Sequence, residues 1–145
     1  MYRIIETGDY YSLSELFHNS GLEVKIEETP PDGIVKMWRC EDEETGELLG
    51  GAVMQYRDNC YVLRDLAVAD GQRCTGIGRG MMDVVLEEAK ARGAEEIWGC
   101  AKVPEYYLAK GWEEVDSSMS PDISNCLNCP QFNVKCFPRI IRKKL

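Results

Sequence analysis

The amino-acid sequence predicts an α+β fold with a central sheet of mixed strand direction. Its first half alternates apolar and polar residues in segments separated by short turns, a pattern typical of antiparallel strands. Its second half carries a strand, an amphipathic helix and another strand, a pattern typical of a crossover connection. The 145 residues suffice for one core, so we expect a single domain over residues 1–145.

The elements of the first half follow from alternation and from turn residues. Ser12 and Glu15 form a capping-box pattern that predicts a short helix ending near His18. An acidic turn joins two alternating segments into a hairpin, and Asp58 with Asn59 turns the chain into a further strand. The strands expected here are residues 2–5, 34–40, 48–56 and 61–68.

The second half is organised around an amphipathic helix. Apolar residues recur at helical spacing from Ile77 to Ala89, and Gly93 is expected to end the helix. A short buried strand over residues 96–100 and a short helix over residues 104–110, with proline in its first turn, follow. The basic C-terminal residues 139–144 alternate with isoleucines, which predicts a last strand at a solvated edge of the sheet.

The segment between the strand ending at Val68 and this helix is rich in glycine. A helix N-terminus leaves backbone N–H groups unpaired and therefore suits a phosphate. Gly76, Gly78 and Gly80 would each cost a helix about 1 kcal/mol, which favours the close approach of a ligand to the backbone. A dinucleotide fingerprint would require glycine at Met81, and a Walker loop would require Gly-Lys-Ser/Thr, so neither motif is present.

Two motifs carry a resemblance to a known family. Arg73-x-x-Gly76-x-Gly78 resembles the pyrophosphate-binding loop of the GNAT superfamily of acyl-CoA-dependent N-acetyltransferases. The segment from Tyr106 to Trp112 resembles the aromatic-Tyr-x-x-x-Gly-aromatic segment of the family's catalytic half. The motifs occur in the family's order, and the resemblance covers about residues 48–115. It implies a mostly antiparallel sheet with a V-shaped splay between the cofactor-binding strands.

The resemblance implies acetyl-CoA as the acyl donor and assigns residues to it. The pantetheine arm would bind main-chain groups at the end of the strand, and the pyrophosphate would bind the glycine-rich loop. Arg73 and Arg79 would supply positive charge for an anionic ligand on an acidic protein. The residues expected at the donor site are Leu66, Ala67, Val68, Arg73, Cys74, Thr75, Gly76, Ile77, Gly78, Arg79 and Gly80.

The resemblance also implies direct transfer to a primary amine. Tyr107 stands four residues before Gly111, where the family places a tyrosine that protonates the leaving thiolate, and a phenol suits that role. Asp65 is the candidate base, and Arg64 and Cys100 are candidates for acceptor binding. Because strand neighbours alternate, we expect only one of Arg64 and Asp65 to face the acceptor groove. A chain of water molecules is an alternative base.

The cysteines are a separate feature. Seven of the 145 residues are cysteine, and Cys126, Cys129 and Cys136 lie in a C-terminal segment spanning residues 120–136. Three thiolates fall short of the four ligands of a zinc site, with Cys100, Cys74 or His18 open as a fourth. We expect reduced thiols and no metal, and a disulfide between Cys126 and Cys129 stays open.

The composition indicates which classes of binding partner the protein can have. A net charge of −8 argues against a nucleic-acid partner and makes an amine-bearing partner electrostatically easier. The sequence has neither a long apolar run nor a basic-then-apolar leader, so we expect a cytoplasmic protein with no membrane partner. Whether it forms a homodimer stays open. The predicted function is acetyl transfer to an amine of a small molecule or peptide; the alternative is a non-catalytic sensor that binds acyl-CoA or a metal.

Overall fold

A computed structural model describes residues 1–72 and 75–145 and shows the expected α+β architecture. The strands are β1 (Tyr2–Glu6), β2 (Ile34–Asp42), β3 (Leu48–Arg57), β4 (Cys60–Val68), β5 (Glu96–Ala101), β6 (Glu113–Val115) and β7 (Arg139–Lys144). The helices are α1 (Tyr10–Asn19), α2 (Ile77–Ala91) and α3 (Pro104–Leu108), and 3₁₀ turns occur at Ser117–Met119 and Asn125–Asn128.

One sheet contains all the strands of the described ranges, in the order β1-β2-β3-β4-β5-β7-β6. Every neighbouring pair is antiparallel except β4 and β5, which are parallel and joined through α2. The prediction of a mostly antiparallel mixed sheet is therefore confirmed. No helix in the described part of the chain is both long and apolar enough to cross a membrane.

Helix α1 begins earlier than predicted. The Asp9 carboxylate, rather than Ser12, caps the helix, because it accepts hydrogen bonds from both the backbone N–H and the hydroxyl of Ser12. Aspartate is as good an N-cap as serine, and the buried ring of Tyr10 favours the earlier start. The proposed capping box is thus wrong.

The two faces of the sheet pack against different helices. Ala52 and Met54 of β3 belong to the cluster that contains Met81 and Val85 of α2. Val53, which lies between them in the strand, packs with Leu13 and Phe17 of α1. Because successive strand residues point to opposite faces, this alternation covers the sheet on both sides.

Two glycines in β3 let both helices approach the strand closely. A β-carbon at Gly51 would lie 2.7 Å from Cδ2 of Leu13 in α1. A β-carbon at Gly50 would lie 3.0 Å from Sδ of Met81 and 3.2 Å from Cγ2 of Ile77, both in α2. At these distances the neighbouring side chains would have to shift to admit a β-carbon, so glycine at these positions lets both helices lie close to the strand.

The predicted last strand is present as β7, but its position in the sheet differs from the prediction. It lies between β5 and β6 rather than at an edge, and Ile140 and Ile141 are each 1% exposed. Ile141 packs on the α2 side, whereas Ile140 packs with Trp98 on the other side. The expected solvated edge is wrong because β6, which is only three residues long, pairs with the outer side of β7.

The C-terminal cysteines lie in the irregular segment between β6 and β7. Ile123 anchors this segment in a cluster with Val62, Trp98 and Ile140, and Arg57 bonds Asp122 at 3.0 Å. The cysteines of the described ranges are free thiols, and no group of three metal-ligating side chains there is arranged to hold a metal ion.

We expect purified protein to contain well under one zinc or iron per chain by elemental analysis. Because Cys129 is exposed, Cys129→Ser should change the free energy of unfolding by no more than about 0.5 kcal/mol. Stoichiometric metal that this substitution releases, together with loss of stability, would contradict the expectation.

Candidate active site

A cavity of about 630 Å³ opens where β4 and β5 separate. The two strands pair only at Val62 with Trp98 and Leu63 with Gly99. Beyond Leu63, β4 continues to pair with β3 but no longer with β5. This is the V-shaped splay that the sequence motifs imply, and it leaves backbone groups of β4 facing the cavity. Leu66, Ala67 and Val68 all line it.

The N-terminus of α2 forms one end of the cavity. Gly76 is the N-cap residue, with φ of 86°, a left-handed conformation that favours glycine. Because glycine has no side chain that could accept a hydrogen bond, the first backbone N–H groups of α2 remain available to an anion. Arg79 and Lys110 also line this end and add positive charge. An uncapped 15-residue helix beside two cations suits a pyrophosphate.

The predicted loop residues take different places. Gly76, Gly78 and Arg79 line the cavity. The Thr75 hydroxyl donates to the Gln72 carbonyl, and Ile77 is 1% exposed within the core. Gly80 faces β1, where a β-carbon would lie 3.2 Å from Cδ1 of Ile4. Arg73 and Cys74 lie outside the described residues.

Gly78 lies against a tyrosine from α3. A β-carbon at this position would lie 2.9 Å from the hydroxyl oxygen of Tyr106 and 3.5 Å from Cγ2 of Val68. The Lys110 ammonium lies 4.9 Å from the centre of the Tyr106 ring. Tyr106 is 37% exposed and lines the cavity, and its ring also packs edge-on against that of Tyr107.

A β-bulge changes the expected alternation at Arg64 and Asp65. The register between β3 and β4 shifts from Val53 opposite Asp65 to Met54 opposite Leu63, so Arg64 is an additional residue in β4. A bulge bends a strand and redirects its side chains. Both Arg64 and Asp65 consequently line the cavity, and the expectation that only one of them could do so is wrong.

The two side chains form an ion pair. Nη1 of Arg64 donates to the Asp65 carboxylate. The same guanidinium interacts with the hydroxyl of Tyr10 in α1. Asp65 is 8% exposed, and burial raises the pKa of its carboxyl, while the neighbouring Arg64 opposes that rise. A carboxylate whose pKa is raised is a stronger base than an exposed one, which suits the removal of a proton from a ligand.

Tyr107 faces the same cavity from α3. Its ring packs edge-on against Trp112, with centroids 5.5 Å apart, and against Tyr106 at 5.3 Å. Burial raises the pKa of its hydroxyl well above the usual value, and the charge of Asp65 raises it further. The phenol therefore stays protonated at neutral pH, the state in which it can donate a proton.

Cys100, the candidate for acceptor binding, lines the cavity from β5. Its thiol interacts with that of Cys126, and this contact together with burial raises the pKa of Cys100. Several other lining residues were not among the candidates, because no motif assigns a role to their positions. These are Ser20, Leu22, Gln72 and Lys102 in loops, and Lys110 at a variable position of the Tyr106–Trp112 motif.

Comparisons with known proteins agree with this geometry. The family model described as "Acetyltransferase (GNAT) family" matches residues 5–106. N-acetylglutamate synthase from Neisseria gonorrhoeae, solved with coenzyme A and N-acetyl-glutamate, superposes with a TM-score of 0.78 at 18% identity. That match covers 100% of this chain and 35% of the synthase, so the chain spans about a third of that protein.

Structures nearer in length share the fold as well. A GNAT-family acetyltransferase from Staphylococcus aureus Mu50 superposes with a TM-score of 0.73 at 17% identity, covering 100% of this chain and 99% of that one. Rv2747 from Mycobacterium tuberculosis, in complex with CoA and NLQ, gives 0.70 at 13% identity and covers 100% and 99%. These likenesses show the fold, whereas the family match extends over more than half of the sequence. The chain belongs to the GNAT family of acetyltransferases.

Proposed function

We propose that the protein transfers an acetyl group from acetyl-CoA directly to a primary amine of a small molecule or peptide. The observation that carries the proposal is the convergence of a buried carboxylate, Asp65, and a protonated phenol, Tyr107, on the cavity where β4 and β5 separate. General acid–base catalysis of aminolysis needs one group of each kind. The structures solved with coenzyme A share this fold and support the choice of donor.

The residues present fit acetyl-CoA. The uncapped N-terminus of α2, with Gly76, Gly78 and Arg79, would hold the pyrophosphate. Backbone groups of Leu66, Ala67 and Val68 would hydrogen-bond the pantetheine arm, because β4 has lost β5 as a partner there. When bound, acetyl-CoA supplies the activated acetyl thioester.

Asp65 and Tyr107 have complementary roles in the proposed reaction. Asp65 takes a proton from the incoming ammonium, either directly or through water, so that the amine becomes a nucleophile. The amine then attacks the thioester carbonyl and forms the C–N bond, and as the C–S bond breaks Tyr107 donates its proton to the departing sulfur. The proton that the attacking nitrogen loses restores the phenol, directly or through water. Both groups are held by packed elements, β4 and α3, and fixed placement of acid and base lowers the entropic cost of the step.

The assignment of the pyrophosphate site is tested at Gly78. A β-carbon there would meet the Tyr106 hydroxyl at 2.9 Å but the rest of that ring only at 3.8 Å. Tyr106→Phe therefore makes room within the protein, and we compare Gly78→Ala in that background with Tyr106→Phe alone. We expect the added methyl group to weaken coenzyme A binding about tenfold by calorimetry, an effect of about 1.4 kcal/mol. Equal affinities would contradict the close approach of ligand to backbone.

Release of thiol from acetyl-CoA in the presence of a panel of amines tests acetyl transfer itself. Substitution of Tyr107 tests its role as the proton donor. Tyr107→Phe removes one oxygen with little change in volume, so the protein should stay folded. We expect the chemical step to slow roughly ten- to a thousandfold in single-turnover measurements, the usual order for loss of a general acid. Tyr106→Phe is the matched control and should change the rate at most about threefold. Unchanged chemistry in Tyr107→Phe would rule out its role.

The pH dependence tests Asp65. Since a base must be deprotonated to act, kcat/KM should rise with pH through the raised pKa of Asp65. Arg64 lowers that pKa by its charge and hydrogen bond, so Arg64→Gln should move the acidic limb to higher pH. A simple alkylamine is the acceptor for both proteins, so that its own ionisation cancels in the comparison. Superimposable profiles would argue for water rather than Asp65 as the base.

A further inference from the structure

Arg64 lies at the junction of two cavities. It lines the cavity between β4 and β5, and it also lines a second cavity of about 400 Å³ with Gln55, Arg57 and Asn125. The bulge in β4 is what gives Arg64 this place, because an unbulged strand would turn Arg64 and Asp65 to opposite faces. The proposed mechanism uses Asp65 and leaves the guanidinium of Arg64 without a role toward substrate.

The guanidinium of Arg64 has N–H donors that can bind a ligand. An arginine side chain carries five N–H donors; Nη1 bonds Asp65 and the guanidinium also interacts with the Tyr10 hydroxyl, which leaves further N–H donors for a ligand. The side chain is 25% exposed, so solvent or a ligand can reach it. A carboxylate would match the planar fork of the guanidinium through two parallel hydrogen bonds.

The charges of Arg64 and Asp65 determine which charged groups a complementary ligand must carry. Arg64 and Asp65 are adjacent and oppositely charged, so together they are formally neutral. A ligand that satisfies both must present an amine and a carboxylate close together. An α-amino acid separates these groups by one carbon atom. A polyamine would instead bring a second cation toward Arg64, and a peptide N-terminus has an amide where the carboxylate is needed.

Lys102 is another cation that lines the cavity, and its ammonium already has partners within the protein. Its ammonium donates to the Gly21 carbonyl at 2.9 Å and lies 3.4 Å from the Glu23 carboxylate. It therefore ties the loop after α1 to the loop after β5. Arg64, which lies next to the candidate base, is better placed for a carboxylate carried by the reacting molecule.

We infer that the acceptor is a free amino acid, with its amine at Asp65 and its carboxylate bound by Arg64. This inference rests on the proposed function, since it names the acceptor of the same site. It makes Arg64 the residue that determines acceptor specificity.

The first test uses the wild-type protein with matched pairs of acceptors. Each amino acid is compared with the amine that lacks only its carboxylate, such as phenylalanine with phenethylamine or leucine with isoamylamine. For the best amino acid we expect kcat/KM at least about 100-fold above that of its partner, because loss of a paired buried group is costly. A best acceptor that is a polyamine, a peptide N-terminus or a simple amine would overturn the inference and leave acetyl transfer intact.

The second test assigns the preference to Arg64. Arg64→Gln should bring the two kcat/KM values of a pair within about threefold, mainly through KM for the amino acid, and Arg64→Lys should restore part of the preference. Arg92→Gln, on the far end of α2, is a control for surface charge. If Lys102→Met abolishes the preference while Arg64→Gln keeps it, the assignment to Arg64 is wrong.

A binding measurement separates failure of the inference from failure of the proposed function. Amino acids and their decarboxylated partners are titrated by calorimetry into the protein saturated with coenzyme A. Selective binding of amino acids that Arg64→Gln removes would support the inference even without turnover. Equal binding of both members of each pair, or binding of neither, would overturn it.

Discussion

The whole active site depends on how β4 is paired. Its partner β3 follows it to Val68, whereas β5 leaves it after Leu63, and the bulge at Arg64 lies where β5 departs. Loss of one partner opens a cavity and frees backbone groups, and the additional residue turns two charged side chains toward that cavity. A single irregular strand thus provides main-chain donors and acceptors on one stretch and an ion pair on the next.

The site reconciles an acidic protein with an anionic cosubstrate. The chain carries a net charge of −8, yet Arg79, Lys110 and the N-terminus of α2 meet at the proposed pyrophosphate end. Arg64 and Asp65, which line the same cavity, cancel each other's charge. The proposed pyrophosphate end is therefore lined by cations, whereas the adjacent Arg64 and Asp65 form a neutral pair.

The sequence predicted those features of the fold that depend on interactions between residues close together in the chain. Alternation located the strands, and the apolar face from Ile77 to Ala89 located α2 within about two residues. The two motifs predicted membership of the GNAT family, and the family match over residues 5–106 confirms that prediction. The bulge at Arg64 could not be predicted, because it depends on the register with β3 rather than on β4 alone. The interior place of β7 and the loop residue Lys102 also follow from tertiary pairing, which leaves no local pattern.

The glycine pair in β3 has a consequence for the width of the cavity. Gly50 sets how near α2 lies to the sheet, and Gly51 does the same for α1 on the other face. Helix α2 supplies Gly78 and Arg79 to the cavity lining, and α1 leads into the loop that supplies Leu22. A methyl group at Gly51 would press against Leu13 of α1, and one at Gly50 would press against α2 and the Ala67 carbonyl of β4. Residues 50 and 51 thus control the spacing of the elements around the cavity, although neither is among the residues that line it.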